Sequence, residues 1–145
     1  MITERDKKNL KLTEQIALIY SKDPSTKVGA YIVDQDNRPV GIGYNGFPRG
    51  VKDTYERLNN RDVKLKYVVH AEANAIVNSN HQDCSECTLY VWPLEPCPHC
   101  AGLIINKGIR RIVCLEGTSG SKWSVEYQFS KSMFKEAGVT VEYLT

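Results

Sequence analysis

Two short motifs constrain this chain more than any other feature of its sequence. The first is His70-Ala71-Glu72, and the second, Cys97-Pro98-His99-Cys100, begins 25 residues after Glu72. A structural zinc site closes with four protein ligands, whereas a catalytic site keeps three and leaves a position for water. His70, Cys97 and Cys100 supply three ligands. We therefore expect a fold that brings the two motifs together around zinc, with Glu72 beside the metal.

Both motifs are predicted to lie at the beginning of a helix. Residues two apart on a helix lie about 200° apart around its axis, so His70 and Glu72 converge only beyond the helix N-terminus. The same geometry applies to Cys97 and Cys100, since Pro98 suits a first helical turn. Two helix N-termini then point at one metal, and their partial positive charge stabilises the thiolates.

Glu72 is predicted to act as the general acid and base of a deamination. The order His-x-Glu…Pro-Cys-x-x-Cys is the known signature of zinc deaminases, in which an activated water attacks C4 of a cytosine or C6 of an adenine. Glu72 would accept a proton from that water and return it to the ring and to the departing ammonia. A zinc-stabilised binding module without activity is the alternative. The free carboxylate and the missing fourth ligand disfavour it.

Composition is typical of one globular domain, predicted over residues 1–145, with 41% hydrophobic and 25% charged residues. The formal net charge is +2 with both signs interleaved, which disfavours a nucleic-acid partner. No apolar run approaches the ~20 residues of a membrane span, and the first residues lack the apolar core of a signal peptide. Five cysteines, four of them in Cys-x-x-Cys pairs, are typical of metal ligation in a reducing compartment. These features predict a cytoplasmic protein without a membrane partner.

Hydrophobic periodicity and turn residues predict alternating helices and strands. Helices are predicted at residues 3–20, 70–78, 98–106 and 121–137, the last with Ser121 as its N-cap. Strands are predicted at residues 26–33, 39–44, 88–92, 110–115 and 139–143. The segment before the first motif is predicted to be a polar loop with one short helix near residues 54–58. A hairpin followed by strand–helix–strand units predicts an α/β fold with a mixed five-stranded sheet between helices.

With these motifs in view, the chain resembles the deoxycytidylate deaminase family of the cytidine deaminase superfamily. The resemblance runs through residues 23–30, 43–50, 70–76, 88–91 and 96–101. It implies a three-layer cytidine-deaminase-like fold, deamination of dCMP to dUMP, and a homo-oligomer, either a hexamer or a dimer. The Gly43-Tyr44-Asn45-Gly46 corner points to the dCMP branch. By the same resemblance Asn45 contacts the deoxyribose or the base edge, and the backbone of Ala71 reads the pyrimidine.

The residues that bind the substrate's phosphate are less well defined by the sequence. Lys27 and Arg49 are predicted contacts, with Arg57 as a further candidate, because they lie near the glycine-rich corner along the chain. Basic side chains of this kind pair with a phosphate through charge-assisted hydrogen bonds. The glycine-rich corner and the long segment after it predict a pocket closed over a whole nucleotide, with such basic residues paired to its phosphate.

Other deaminases share the zinc motif. A tRNA adenosine deaminase is disfavoured by the 25 residues of segment 45–69 and by the weak basic balance. A free-cytidine deaminase or the deaminase of riboflavin synthesis stays open, and Glu95-Pro96-Cys97 is compatible with the latter. Residues 114–123 also depart from the tyrosine-rich form of many dCMP deaminases.

A second cluster, His81-x-x-Cys84-x-x-Cys87, offers three further metal ligands. A structural zinc there would need a fourth, such as His99 or a residue of another subunit. The simpler interpretation is that Cys87 packs at a strand start while the other two residues lie on the surface. Replacing both cysteines by serine would then leave the unfolding temperature similar.

Overall fold

The computed structural model describes residues 1–116 and 124–145, and the predicted N-cap Ser121 lies outside these residues. The described part contains six helices and five strands. The helices are α1 (Glu4–Tyr20), α2 (Tyr55–Asn59), α3 (Arg61–Tyr67), α4 (Ala71–Val77), α5 (Pro98–Asn106) and α6 (Ser124–Ala137). The strands are β1 (Gly29–Val33), β2 (Pro39–Tyr44), β3 (Thr88–Trp92), β4 (Arg111–Leu115) and β5 (Thr140–Leu144). None of the helices in the described ranges combines the length and apolar character needed to cross a membrane.

The strands form one mixed sheet in the order β2-β1-β3-β4-β5. β1 pairs antiparallel with both β2 and β3, so Ala30 lies between Gly43 and Val91. β3, β4 and β5 run parallel to one another. The predicted hairpin, the parallel pairing of the last two strands and the mixed five-stranded sheet are confirmed.

Alternation along the strands separates two apolar layers. Tyr31, Tyr90 and Val113 point to the face that α1 covers. Their neighbours along each strand point to the other face and pack against α4, α5 and α6; these are Ala30, Ile32, Leu89, Val91, Ile112 and Cys114. Because successive strand residues face opposite sides, a sheet buried on both faces requires continuous apolar strands. The three-layer architecture is confirmed, and Cys114 is a fully buried part of its core.

The polar segment between β2 and α4 is more ordered than its composition predicts. It holds α3 as well as the short helix α2. Asn60 caps α3 by accepting a hydrogen bond from the backbone N–H of Val63 at 3.3 Å. Asparagine is a favourable N-cap, but its signal is easily missed where no apolar repeat follows it. The prediction of a loop at residues 61–67 is therefore wrong.

The first strand begins later than predicted, at Gly29 and not at residue 26. The backbone N–H of Val28 donates to Asn45 Oδ1 at 2.9 Å, which takes this residue out of the regular ladder. An asparagine side chain that bonds the backbone competes in this way with a sheet.

Glycines of β2 allow α4 to lie directly on the sheet. A Cβ on Gly43 would overlap the carbonyl oxygen of Ala71 and the backbone nitrogen of Ala75, and one on Gly41 would overlap the carbonyl oxygen of Ala75. Neither glycine has a positive φ. Their role is close approach of the helix backbone, which fixes the position of the His70-Ala71-Glu72 motif.

Candidate active site

The two sequence motifs meet at the N-termini of two helices. His70 is the N-cap residue of α4, and Cys97 is the N-cap residue of α5. His70 Nδ1 lies 3.4 Å from Cys97 Sγ and 3.5 Å from Cys100 Sγ. Among the described residues, His70, Cys97 and Cys100 form the one group of His, Cys, Asp or Glu ligand atoms within 4.8 Å of one another.

This group fits zinc in both chemistry and spacing. With bonds of about 2.3 Å to sulfur and about 2.0–2.1 Å to nitrogen, tetrahedral coordination places a sulfur and a nitrogen ligand about 3.6 Å apart. The observed separations of 3.4 and 3.5 Å agree with that value. Hydrogen bonding from Cys100 and from His70 lowers the pKa of Cys97 to about 4, so this sulfur is ready to ligate as a thiolate.

Glu72 stands next to this group without belonging to it. Its side chain is 4% exposed and lines the same cavity as His70 and Cys97. Burial raises the pKa of Glu72 to about 7, because removal from water disfavours the charged carboxylate. A carboxyl group that titrates near neutral pH can both accept and return a proton.

The cavity around the metal group is lined by residues from several separate parts of the chain. Ala71 and Glu72 come from α4, and Leu94, Glu95 and Cys97 come from the segment before α5. The loop before β1 contributes Asp23, Ser25, Thr26 and Val28, and α3 contributes Arg61, Lys64 and Leu65. His70, Asn45, Val68 and Tyr127 complete the lining. Of the predicted substrate contacts, the structure therefore places Ala71 and Asn45 at the cavity.

The side chain of Asn45 forms its hydrogen bonds with other residues of the protein. Its side-chain oxygen accepts from Ser21 Oγ at 2.7 Å and from the Val28 N–H at 2.9 Å. Its side-chain nitrogen donates to the Thr26 carbonyl at 2.8 Å and to Asp23 Oδ2 at 3.5 Å. These four bonds use both lone pairs and both hydrogens of the amide. In this structure Asn45 shapes the cavity wall by holding the loop before β1.

Lys27 and Arg49 do not line the cavity, although the sequence predicts that they contact the phosphate. Lys27 Nζ donates to the Ser21 carbonyl at 2.6 Å, and the side chain lies in a different depression beside Trp92. The guanidinium of Arg49 is 3.4 Å from Asn78 Oδ1. The further candidate, Arg57, donates to the carbonyl of Lys52 and is likewise outside the cavity.

Several cavity residues are not indicated by the sequence, because they come from distant or apparently irregular segments. Arg61 and Lys64 belong to α3, whose only local signal is the capping residue Asn60. Tyr127 lies on α6, more than 50 residues after Glu72. Glu95 directly precedes Pro96-Cys97, and its Oε1 accepts a hydrogen bond from the Tyr143 hydroxyl at 2.8 Å. Only adjacency to the second motif could have indicated Glu95.

The second cysteine cluster does not form a metal group among the described residues. His81 is exposed, whereas Cys84 and Cys87 are 0% and 4% exposed and belong to the apolar core. Burial raises the pKa of Cys87 to about 12, which disfavours the thiolate that a metal requires. The expectation that Cys84 lies on the surface is wrong, since its side chain is fully buried in the apolar core.

Replacing Cys84 and Cys87 together by serine is expected to lower the free energy of unfolding by about 3 kcal/mol, because two hydroxyls enter an apolar core. Zinc content should stay at one ion per chain. Denaturant unfolding and elemental analysis measure the two quantities. The matched double alanine variant buries no new polar group and should lose less stability. A fall from two zinc ions to one in the serine variant would contradict this interpretation.

A mixed sheet between helices, with a His-Cys-Cys group and an adjacent carboxylate at two helix N-termini, defines a zinc-binding deaminase. The family model described as the cytidine and deoxycytidylate deaminase zinc-binding region matches residues 3–116. The chain belongs to this family. A zinc cofactor, predicted from the donor set, is confirmed by the family and by the arrangement of the three side chains.

Individual relatives agree with this assignment. The chain is 45% identical to deoxycytidylate deaminase of Mus musculus over 130 residues, which cover 86% of this chain and 71% of that protein. It is 39% identical over 146 residues to an uncharacterized deaminase encoded near luxG in Aliivibrio fischeri, with 99% and 96% of the two chains covered. The crystal structure of dCMP deaminase from cyanophage S-TIM5 with dCMP and dUMP superposes with a TM-score of 0.76 at 23% identity, over 99% of both chains. At that identity the superposition shows the shared fold.

Proposed function

We propose that this chain catalyses the zinc-dependent hydrolytic deamination of dCMP to dUMP with release of ammonia. The observation that carries the proposal is that His70, Cys97 and Cys100 converge on one point while the buried Glu72 lines the same cavity as His70 and Cys97. The dCMP substrate is supported by relatives named deoxycytidylate deaminase, including those of Mus musculus and Homo sapiens at 45% and 44% identity.

In the proposed mechanism the three ligands hold zinc and Glu72 handles protons. His70, Cys97 and Cys100 would hold the zinc ion, and the metal would supply the acidification of water that the reaction needs. Glu72 carries two protons of the attacking water in turn, the first to the pyrimidine ring nitrogen and the second to the amino group, which can then leave as ammonia. Oxygen from water replaces the amino group at C4, and ammonia leaves. The low exposure of Glu72 shields these protons from bulk solvent.

The walls of the cavity support a nucleotide as the substrate. Val28, Leu65 and Leu94 offer apolar surface on which a base can pack, and Tyr127 adds an aromatic ring. Arg61 and Lys64 line the same cavity and bring positive charge to it. Pockets for small ligands combine apolar walls with a few placed polar groups in this way.

We expect dCMP to be deaminated at least ~100-fold more efficiently than deoxycytidine, which corresponds to about 2.7 kcal/mol of transition-state binding. Binding energy from the phosphate orients the base, so its removal should lower kcat as well as affinity. Ammonia release measured with dCMP, CMP, deoxycytidine and tRNA, each under the same conditions, gives kcat/KM for every substrate.

The same panel separates the competing functions. Equal kcat/KM values for dCMP and deoxycytidine would move the chain to the nucleoside branch and contradict the proposal. Activity on tRNA alone would favour an adenosine deaminase. If none of these substrates releases ammonia, the chain either acts on a different pyrimidine substrate or is a binding module without activity. The chain also superposes on RibD of Acinetobacter baumannii with a TM-score of 0.68 at 23% identity. At that identity the superposition reflects the shared fold, so it does not favour the deaminase of riboflavin synthesis.

Three further expectations stay predictions. These are the single domain over residues 1–145, the homo-oligomer implied by the resemblance, and the cytoplasmic location. The assignment of Glu72 as the catalytic residue and of His70, Cys97 and Cys100 as zinc ligands is part of the proposal above.

A further inference from the structure

We propose that Arg61 is the side chain that recognises the 5′-phosphate of the substrate and makes the enzyme selective for a nucleotide over a nucleoside. This inference rests on the proposed function. It replaces the prediction from sequence proximity, in which Lys27 and Arg49 contact the phosphate. Two observations lead to this assignment. The first is which basic side chains line the metal cavity, and the second is which of them already form an ion pair within the protein.

Helix α3 supplies the lysine and the arginine in the described part of the cavity lining, Lys64 and Arg61. Asp23, Glu72 and Glu95 line it as well, so these two cations balance acidic groups that would otherwise repel a phosphate. A nucleoside monophosphate carries close to two negative charges at neutral pH. Its binding therefore requires positive charge at this wall.

The charge of Lys64 is already paired within the protein. Its Nζ lies 3.0 Å from Asp23 Oδ1 and 3.4 Å from Ser25 Oγ, and both side chains of the ion pair are 9% exposed. Asp23 also accepts hydrogen bonds from the backbone N–H groups of Ser25 and Thr26, at 2.8 and 3.1 Å. Breaking a buried pair of this kind is costly because it leaves a charge uncompensated. Lys64 thus joins α3 to the loop before β1 and has little charge to offer a ligand.

Arg61 is in the opposite situation. It is the first residue of α3, its side chain is exposed, and within residues 1–116 and 124–145 no hydrogen bond or ion pair involves its guanidinium. The Lys64–Asp23 pair fixes the helix that carries it against the loop that carries Ser25 and Thr26. A guanidinium presents paired N–H donors that match phosphate oxygens, and the two hydroxyls add further donors to the same cavity.

The test compares Arg61→Gln with the wild-type enzyme on dCMP and on deoxycytidine. We expect kcat/KM for dCMP to fall about 10- to 100-fold, the range typical of a lost charge-assisted hydrogen bond, while the value for deoxycytidine stays within about 2-fold. Calorimetric binding of dUMP and deoxyuridine gives a readout without turnover, in which only dUMP should weaken. Arg61→Lys should restore part of the loss, since it keeps the charge without the paired donors.

Lys66→Gln is the matched control, because it removes one positive charge from an exposed position of the same helix outside the cavity lining. An equal loss in Lys66→Gln, or an equal loss on both substrates in Arg61→Gln, would overturn the assignment. The failure of the proposed function is distinct, since it appears in the wild-type enzyme as equal activity on dCMP and deoxycytidine. A dCMP preference that persists in Arg61→Gln overturns only the role of Arg61.

Discussion

Replacing Glu72 by alanine is expected to lower kcat for dCMP by about 1000-fold or more while one zinc ion per chain is retained. The carboxylate lies beside the His70, Cys97 and Cys100 group but outside it, so its loss removes the proton carrier and leaves the donor set complete. General acid–base catalysis contributes about 10²- to 10⁴-fold to enzymatic rates, and here one group performs both transfers. Steady-state kinetics and elemental analysis on the same preparation measure both outcomes.

Two further variants sharpen the interpretation of this experiment. Glu72→Gln preserves the size of the buried side chain and cannot accept the proton, so it should lose a similar share of activity without loss of folding. Glu56→Ala removes an exposed first-turn glutamate of α2 and should change kcat by less than about 2-fold. Loss of zinc from Glu72→Gln would show that Glu72 is a metal ligand and would contradict the mechanism.

Replacing Gly43 by alanine is expected to lower the free energy of unfolding by about 3 kcal/mol and to weaken zinc binding as well. The added methyl group would overlap backbone atoms of Ala71 and Ala75, which cannot move aside by rotating a side chain. Overpacking costs about 1–3 kcal/mol, and a backbone obstacle lies at the upper end of that range. Because α4 carries the first motif, its displacement also moves His70 and Glu72 away from α5. Denaturant unfolding and zinc titration measure the two effects.

Gly46→Ala is the matched control within the same glycine-rich corner. A Cβ at Gly46 has its nearest neighbour, Tyr44 Cε2, at 4.0 Å, and the residue does not have a positive φ. We therefore expect its free energy of unfolding to change by less than about 1 kcal/mol. Equal destabilisation by both substitutions would contradict the close-packing role of Gly43.

The glycine-rich corner shows which roles a local sequence pattern can predict and which it cannot. The Gly43-Tyr44-Asn45-Gly46 corner is recognisable in the sequence, and the resemblance attributes to it a contact with substrate. The structure shows that Gly43 allows a helix to approach and that Asn45 is bonded to Ser21, Val28 and Thr26. Both roles depend on partners from other elements, which the order of residues within the corner does not specify.

The sequence by itself determined the sheet, the zinc chemistry and the spacing of the two motifs. Strand alternation and helix-start residues are local signals, and a His-x-Glu and a Cys-x-x-Cys pair each carry their own geometry. The tertiary structure decided which side chains line the cavity. It buried Lys64 against Asp23, 41 residues away, left Arg61 at the cavity, and kept Lys27 and Arg49 out of it. The physical reason is that a cavity wall is built from contacts between distant segments, so proximity along the chain is a poor guide to it.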